Sequence, residues 1–313
     1  MSENKKCPTV GGQAVIEGVM MKGTQYIATA VRRPTGEIVY RKTKILEDKY
    51  KFFKKPFLRG VLMLIESLAI GTKELTFSAN QAGEEEEELS GFGLGMVLFT
   101  SFAIGIAVFF LLPAFVGGLL FKQNDGLANL VEGVIRLGIF LIYIYAVSFS
   151  KDIARVFQYH GAEHKTIYAF EKGEELTVDN VKKHTTLHPR CGTSFLITVM
   201  LISIIVFSVA DTQIMKIINI SDNQVVRHLL KFGIRIGFLP VIASLAYELQ
   251  RYSSRHLDNP IVKIVAAPGL WLQKITTKEP DDSQLEVSIV SLKAALGEEN
   301  INNAKDITGE EKN

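Results

Sequence analysis

The longest uninterrupted pattern in this chain is a run without charge. Residues 91–121 read GFGLGMVLFTSFAIGIAVFFLLPAFVGGLLF. A helix rises about 1.5 Å per residue, so the run reaches across a hydrocarbon core of about 30 Å with room to tilt. A buried helix of this composition would need a far larger protein around it. Three further apolar segments follow at residues 129–149, 193–210 and 229–247. The second carries Glu132 and Arg136 four residues apart, a helical pairing distance. The fourth carries Lys231, Arg235 and a mid-segment Pro240. These cations can snorkel to the nearer interface. The pattern predicts an α-helical integral membrane protein with four transmembrane helices.

Shorter periodic segments surround the spans. Residues 25–33 and 37–45 alternate around Pro34-Thr35-Gly36, a turn sequence, and predict a small N-terminal β element. Residues 57–71 are apolar but interrupted by Arg59 and Glu66, and follow the basic aromatic run KYKFFKK at 49–55. They predict an interfacial or re-entrant amphipathic helix. Glu84–Glu88 reads as a solvated acidic linker. Residues 261–274, with the one tryptophan of the chain, form a second amphipathic segment suited to a membrane surface. Asp281-Asp282-Ser283 offers a cap for a helix running to about Leu296, and residues 297–313 read as frayed. The implied division is 1–56, β element; 57–90, interfacial helix and linker; 91–149, first two spans; 150–192, a polar loop; 193–248, last two spans; and 249–313, an amphipathic C-terminal region.

Charge sets an orientation. Lys and Arg number 13 in residues 1–59, one in 122–128, seven in 150–192 and two in 211–228, and the region after Glu248 is basic again. The alternation puts both termini and the 150–192 loop in the cytoplasm, with the chain in the inner (plasma) membrane. The first residues, MSENKKCPTVGG, hold no apolar run of the kind a cleavable signal needs. Two cysteines, Cys7 and Cys191, stand far apart and make no disulfide framework, which suits a reducing compartment.

The chemistry concentrates in the 150–192 loop, which holds four of the six histidines. Residues 151–171 predict a helix whose apolar stripe runs Ile153, Phe157, His160, His164, Ile167. His160 and His164 sit on one face in the string HGAEH, with Glu163 between them. Two imidazoles at that spacing can share a metal, and a neighbouring carboxylate can serve as general base. The string matches the H-x-x-E-H pattern of inverted zincins. Downstream, His188 and Cys191 lie three apart and offer further ligands, with divalent zinc the first expectation. His184 reads as a surface residue. Arg190, Thr193 and Ser194 stand at the start of the third span, where backbone N–H groups and a partial positive charge suit an anion. The competing reading is that Thr193 or Ser194 caps the helix. Cys191 could alternatively be a nucleophile. Glu17, in the glycine-flanked stretch GGQAVIEGVMMKG, reads as a further base or ligand, or as an ion-pair partner of Arg59 or Arg190. Glu248 could join the same site.

Four stretches carry a resemblance: GGQAVIEGVMM (11–21), YHGAEHKTI (159–167), HPRCGTSFL (188–196) and TTKEPDDSQLEV (276–287). With them the chain resembles the YqhQ-like family of uncharacterised bacterial membrane proteins over roughly residues 9–297. That family has been described as predicted metal-dependent enzymes. The resemblance implies motif positions at Glu17, His160, Glu163, His164, His188, Arg190 and Cys191, and no substrate. The functional expectation is a metal-dependent hydrolase at the membrane surface. Glu163 and Glu17 are its catalytic candidates, Arg190, Thr193 and Ser194 its substrate contacts, and His160, His164, His188 and Cys191 its metal ligands. The rival is a non-catalytic scaffold or assembly factor for membrane proteins with a structural His/Cys cluster. Expected partners are the lipid bilayer, an anionic lipid head group or another membrane protein, and a second copy of the chain. No motif supports nucleic-acid binding. Charges near the outer ends of the spans, rather than at their middle, disfavour a transporter.

Overall fold

The computed structural model describes residues 10–45, 55, 59–83, 91–121, 125–217 and 224–309. Most of the basic run at 49–55, the acidic run Glu84–Glu88, Cys7 and the side chain of Lys231 lie outside the described residues. In chain order the elements are β1 (Gly11–Val15), β2 (Gly18–Lys22), β3 (Tyr26–Arg32), β4 (Ile38–Lys44), α1 (Arg59–Gln81), α2 (Gly91–Ile106), a π-helical turn (Ala107–Leu111), α3 (Leu112–Leu120), α4 (Asp125–Val147), α5 (Lys151–Glu171), α6 (Val178–Lys182), α7 (Gly192–Ile217), α8 (Gln224–Ser253), α9 (Pro260–Thr276), α10 (Asp282–Ala295) and β5 (Ala304–Asp306).

Two regions differ in composition. Four helical segments are long and apolar enough to cross a membrane: Phe99–Leu120, Gly126–Val147, Gly192–Ala210 and Phe232–Ser253. The other region is an α/β body. Its five-stranded sheet has the order β1-β2-β3-β4-β5, antiparallel except for the last pair. β1 and β2 meet through the two-residue turn Ile16-Glu17, which leaves Glu17 at φ 49°. β3 and β4 pair from Tyr26↔Lys44 to Arg32↔Ile38, as the turn at 34–36 predicts. Gly18, the neighbour of Glu17, must be glycine because a Cβ there would overlap the Ala30 carbonyl across the sheet.

α5 and α10 cover one face of the sheet. Val19, Met21, Ala28 and Tyr40 from the strands close against Tyr159 and Ile167 of α5 and Val287 and Leu292 of α10. Asp281 caps α10 and Gln284 reaches back to complete a capping box, as the sequence predicts. Residues 297–309 do not fray. Ile301 and Ile307 are buried, and Ala304–Asp306 adds a parallel strand to β4. Local polarity hides this, because the strand borrows its partner from the other end of the chain.

α1 runs ten residues beyond the segment predicted at 57–71. Its C-terminal half meets the sheet, where Glu74 accepts from Thr29 and Arg41. Its N-terminal turn meets α8, with Gly60 against the Ser244 backbone and Arg59 ion-paired to Glu248. Glu132 of α4 pairs with Arg136, as its spacing predicts, and also with Arg235 of α8. Arg136 donates to the carbonyl of Phe109, inside the π-helical turn and half-way along the first apolar segment. That position corrects the expectation that charges in these helices keep to their ends. A π turn leaves a carbonyl out of the regular ladder, and the guanidinium takes it.

Candidate metal centre

α5 carries HGAEH between the sheet and the chain that follows α9. His160 Nδ1 lies 2.8 Å from the carbonyl oxygen of Thr276, and His164 Nδ1 lies 2.5 Å from that of Thr186. A carbonyl can only accept, so each Nδ1 carries the hydrogen and each neutral ring keeps a bare Nε2. His160 Nε2 faces Cys191 Sγ at 3.1 Å. His164 Nε2 is buried without a hydrogen-bond partner. The two rings lie 4.5 Å apart. One ligand atom from each of His160, His164 and Cys191 lies within 4.8 Å of the others, so this group could hold a metal ion.

The donor set fits such an ion on its own chemistry. One thiol hydrogen cannot satisfy two imidazole lone pairs, and an orphaned buried acceptor costs about 1–3 kcal/mol. A cation shared by a thiolate and both lone pairs removes the orphan. Metal-bound histidines ordinarily anchor their second nitrogen on a carbonyl or carboxylate, as both do here. Two imidazoles and a thiolate suit zinc or a similar borderline ion.

Cys191 occupies the position before the first residue of α7. Its Sγ accepts from the Thr193 N–H at 3.4 Å and lies 3.0 Å from the Thr193 hydroxyl. Burial pushes the thiol up, and the Thr193 hydroxyl and N–H beside the sulfur pull the other way. Burial lowers His164 in turn, keeping the ring neutral. The start of α7 is therefore capped by the cysteine sulfur, rather than by Thr193 or Ser194.

Glu163 is 5 % exposed and faces β1, where Gly12 donates its N–H to the carboxylate. A side chain at Gly12 would crowd Glu163 Oε1 and the Met20 carbonyl. Burial pushes the carboxyl up to about 8, although nearby His160 pulls the other way.

The remaining predicted residues stand differently. His188 is buried; its Nδ1 accepts from the Arg190 N–H at 3.3 Å, and its Nε2, 3.6 Å from Glu171, is like that of His164 buried without a hydrogen-bond partner. Its ring nitrogens are not among the ligand atoms that lie within 4.8 Å of one another. Burial holds it neutral, down at about 4. Arg190 is ion-paired with Glu171. The Ser194 hydroxyl accepts from Gln273 at 2.6 Å. Glu17 pairs with Arg155, not with Arg59 or Arg190, and lies 3.3 Å from the Tyr159 hydroxyl. Glu248 is taken by Arg59. His184 is half-buried and bonded to Glu174 at 2.9 Å, so it is not a bare surface residue.

The TTKEPDD stretch stands out in the sequence as a motif without a place in the site. In the structure it is a strap across α5. The Lys278 N–H bonds to the Phe157 carbonyl at 2.9 Å, and Glu279 pairs with the buried Lys165. Gly161 makes the crossing possible, since a Cβ there would overlap the Lys278 carbonyl oxygen. The strap delivers the Thr276 carbonyl to His160. Gln273, fully buried one turn earlier, bonds to the N–H and carbonyl of His188 and to Ser194. Backbone carbonyls have no side-chain signature, so only the motif's presence hinted at this role.

Comparison with known proteins bears on the same residues. A model of proteins of unknown function, DUF1385, matches residues 55–298. The chain belongs to the DUF1385 family. Within it, the uncharacterized protein YqhQ of Bacillus subtilis (strain 168) is 37% identical over 315 residues, covering 95% of each chain. No solved structure matches. The DUF1385 match spans every element that builds the His160–His164–Cys191 group, while the β1–β2 hairpin facing Glu163 lies before it.

Proposed function

We propose that this DUF1385 protein spans the bacterial inner membrane four times and is a metal-dependent hydrolase working at the cytoplasmic membrane surface. His160, His164 and Cys191 hold the metal, with zinc first in expectation. The observation that carries this reading is the convergence of two histidines, each with Nδ1 tied to a backbone carbonyl, on one cysteine sulfur. A divalent ion there supplies Lewis acidity. The protein's own groups do the rest. Thr276 and Thr186 fix the two tautomers. Glu163, desolvated beside the cluster, is the proton-transfer group; a cation held by the neighbouring histidines favours its ionised form, which can take the proton as general base. Three protein ligands, rather than four, leave room for a reacting molecule, which is the pattern of catalytic sites. Glu17, engaged by Arg155, is assigned to holding the first hairpin against α5. Arg190, Thr193 and Ser194, engaged by Glu171, Cys191 and Gln273, contribute to an anionic substrate only by exchanging those partners.

The rival scaffold reading has one observation in its favour: the cluster ties together α5, the 184–191 segment and the strap after α9. Metal content separates the two. The detergent-purified protein, prepared without chelator, is analysed by elemental mass spectrometry beside a His164→Ala variant. Near-stoichiometric metal that vanishes in the variant is expected. Absence of metal from both, after attempted reloading, would overturn the metal reading and favour the scaffold.

A further inference from the structure

α9 has two faces with different partners. Val262, Gly269, Gln273 and Thr276 are buried, and Gly269 sits against Ser194 of α7 so closely that a Cβ would overlap that side chain. The opposite face carries Ile261, Ile264, Pro268 and Trp271, at helical steps of three, four and three. Ile261, Ile264 and Trp271 are 69 %, 72 % and 66 % exposed. Lys263 and Lys274 are exposed along one edge of that stripe. The helix packs at the first turns of α7, so its apolar face continues the exposed apolar surface that begins there at Leu196.

We infer that the outer face of α9 is seated in the interfacial layer of an anionic phospholipid membrane, with Trp271 at the boundary between head groups and acyl chains. An apolar stripe edged by lysines, with a tryptophan, is the form a helix takes when it lies in that plane. The lysines select the lipid charge. A soluble partner would have to cover a surface continuous with the membrane-spanning helices, and bilayer lipid already reaches it. The consequence concerns the site. The inner face of the same helix carries Gln273, which holds His188 and Ser194, and Thr276, which orients His160. The His/Cys group therefore hangs from a membrane-docked helix, at head-group depth. The inference rests on the four-span reading above, and not on metal binding.

Trp271 is the only tryptophan in the chain, so its fluorescence reports this helix alone. The full chain is reconstituted into mixed phosphatidylglycerol–phosphatidylcholine vesicles, with bromine on the lipid chains either near the glycerol or near the chain end. Incorporation is scored separately by flotation. Expected are blue-shifted emission, stronger quenching by the shallow bromines than by the deep ones, and protection from aqueous iodide. Bromine on phosphatidylglycerol should quench more than bromine on phosphatidylcholine, and K263E/K274E should abolish that preference. Incorporated protein whose Trp271 is quenched by iodide and not by bromolipid would overturn the inference and give the face to water. Protection from both quenchers would overturn it in favour of a protein partner. Equal quenching by both brominated lipids would overturn the anionic selection. Protein that never floats with vesicles would overturn the four-span reading first.

Discussion

Gly161 shows how one residue without a side chain can set a site. The strap after α9 crosses α5 at this glycine, and the crossing presents the Thr276 carbonyl to His160. Gly161→Ala should force the strap away. Overpacking of this kind costs about 1–3 kcal/mol. The expected outcome is a lower denaturation midpoint and weaker metal retention than Glu163→Gln, which preserves shape. Glu163→Gln should keep its metal, because Glu163 is assigned to proton transfer and not to ligation. Loss of metal from that variant, in elemental analysis, would make Glu163 a ligand. Cys191 has a spectroscopic test of its own. Cobalt(II)-loaded protein should show a sulfur-to-cobalt charge-transfer absorption that disappears in Cys191→Ser. Unchanged absorption would remove the thiolate from the ligand set.

At the scale of elements, α10 joins the site's strap to the sheet. Its capping box begins at Asp281, directly after Pro280, so the end of the strap and the start of the helix are one structure. Asp281→Ala should cost about 0.5–2 kcal/mol, read by chemical denaturation in detergent. Its pH dependence has a definite sign. Desolvation raises the Asp281 carboxyl, but the Ser283 hydroxyl and the N–H groups of Gln284 and Ser283 outweigh it, and the net shift is downward. A depressed folded value means the cap contributes fully above the unfolded value and is lost as pH falls through the folded one. Acidification below the ordinary aspartate range should therefore destabilise the wild type more than Asp281→Ala. Equal acid sensitivity would contradict the assignment.

At the scale of the molecule, three separated parts of the chain make one α/β body: strands β1–β4, helix α5, and α10 with β5. The cation count predicts that this body is cytoplasmic. A cysteine at exposed Lys172, in a Cys7→Ser background, should react with an impermeant maleimide in right-side-out vesicles only after permeabilisation. Labelling of intact vesicles would invert the topology. The apolar helices meet through Glu132, Arg136, Arg235 and the Phe109 carbonyl, a polar contact that ties the first, second and fourth of them.

Much of this was written in local pattern. Long apolar runs, the turn at Pro34-Thr35-Gly36, the Asp281 cap and the helix at 151–171 depend on neighbours within a few residues, and the sequence alone determined them. The two histidines four apart on one helix belong to the same class, and so does the nearness of a cysteine in the following loop. What the tertiary structure decided was which of these residues meet. Cys191, and not His188, brings a ligand atom within 4.8 Å of those of His160 and His164, because the start of α7 places its sulfur against His160 Nε2. The pairing of Glu17 with Arg155 follows from the hairpin packing on α5. The carbonyls of Thr276 and Thr186, and the strand at 304–306, act through backbone groups that every residue possesses. A pattern of side chains cannot announce such groups; only the path of the folded chain brings them to their partners.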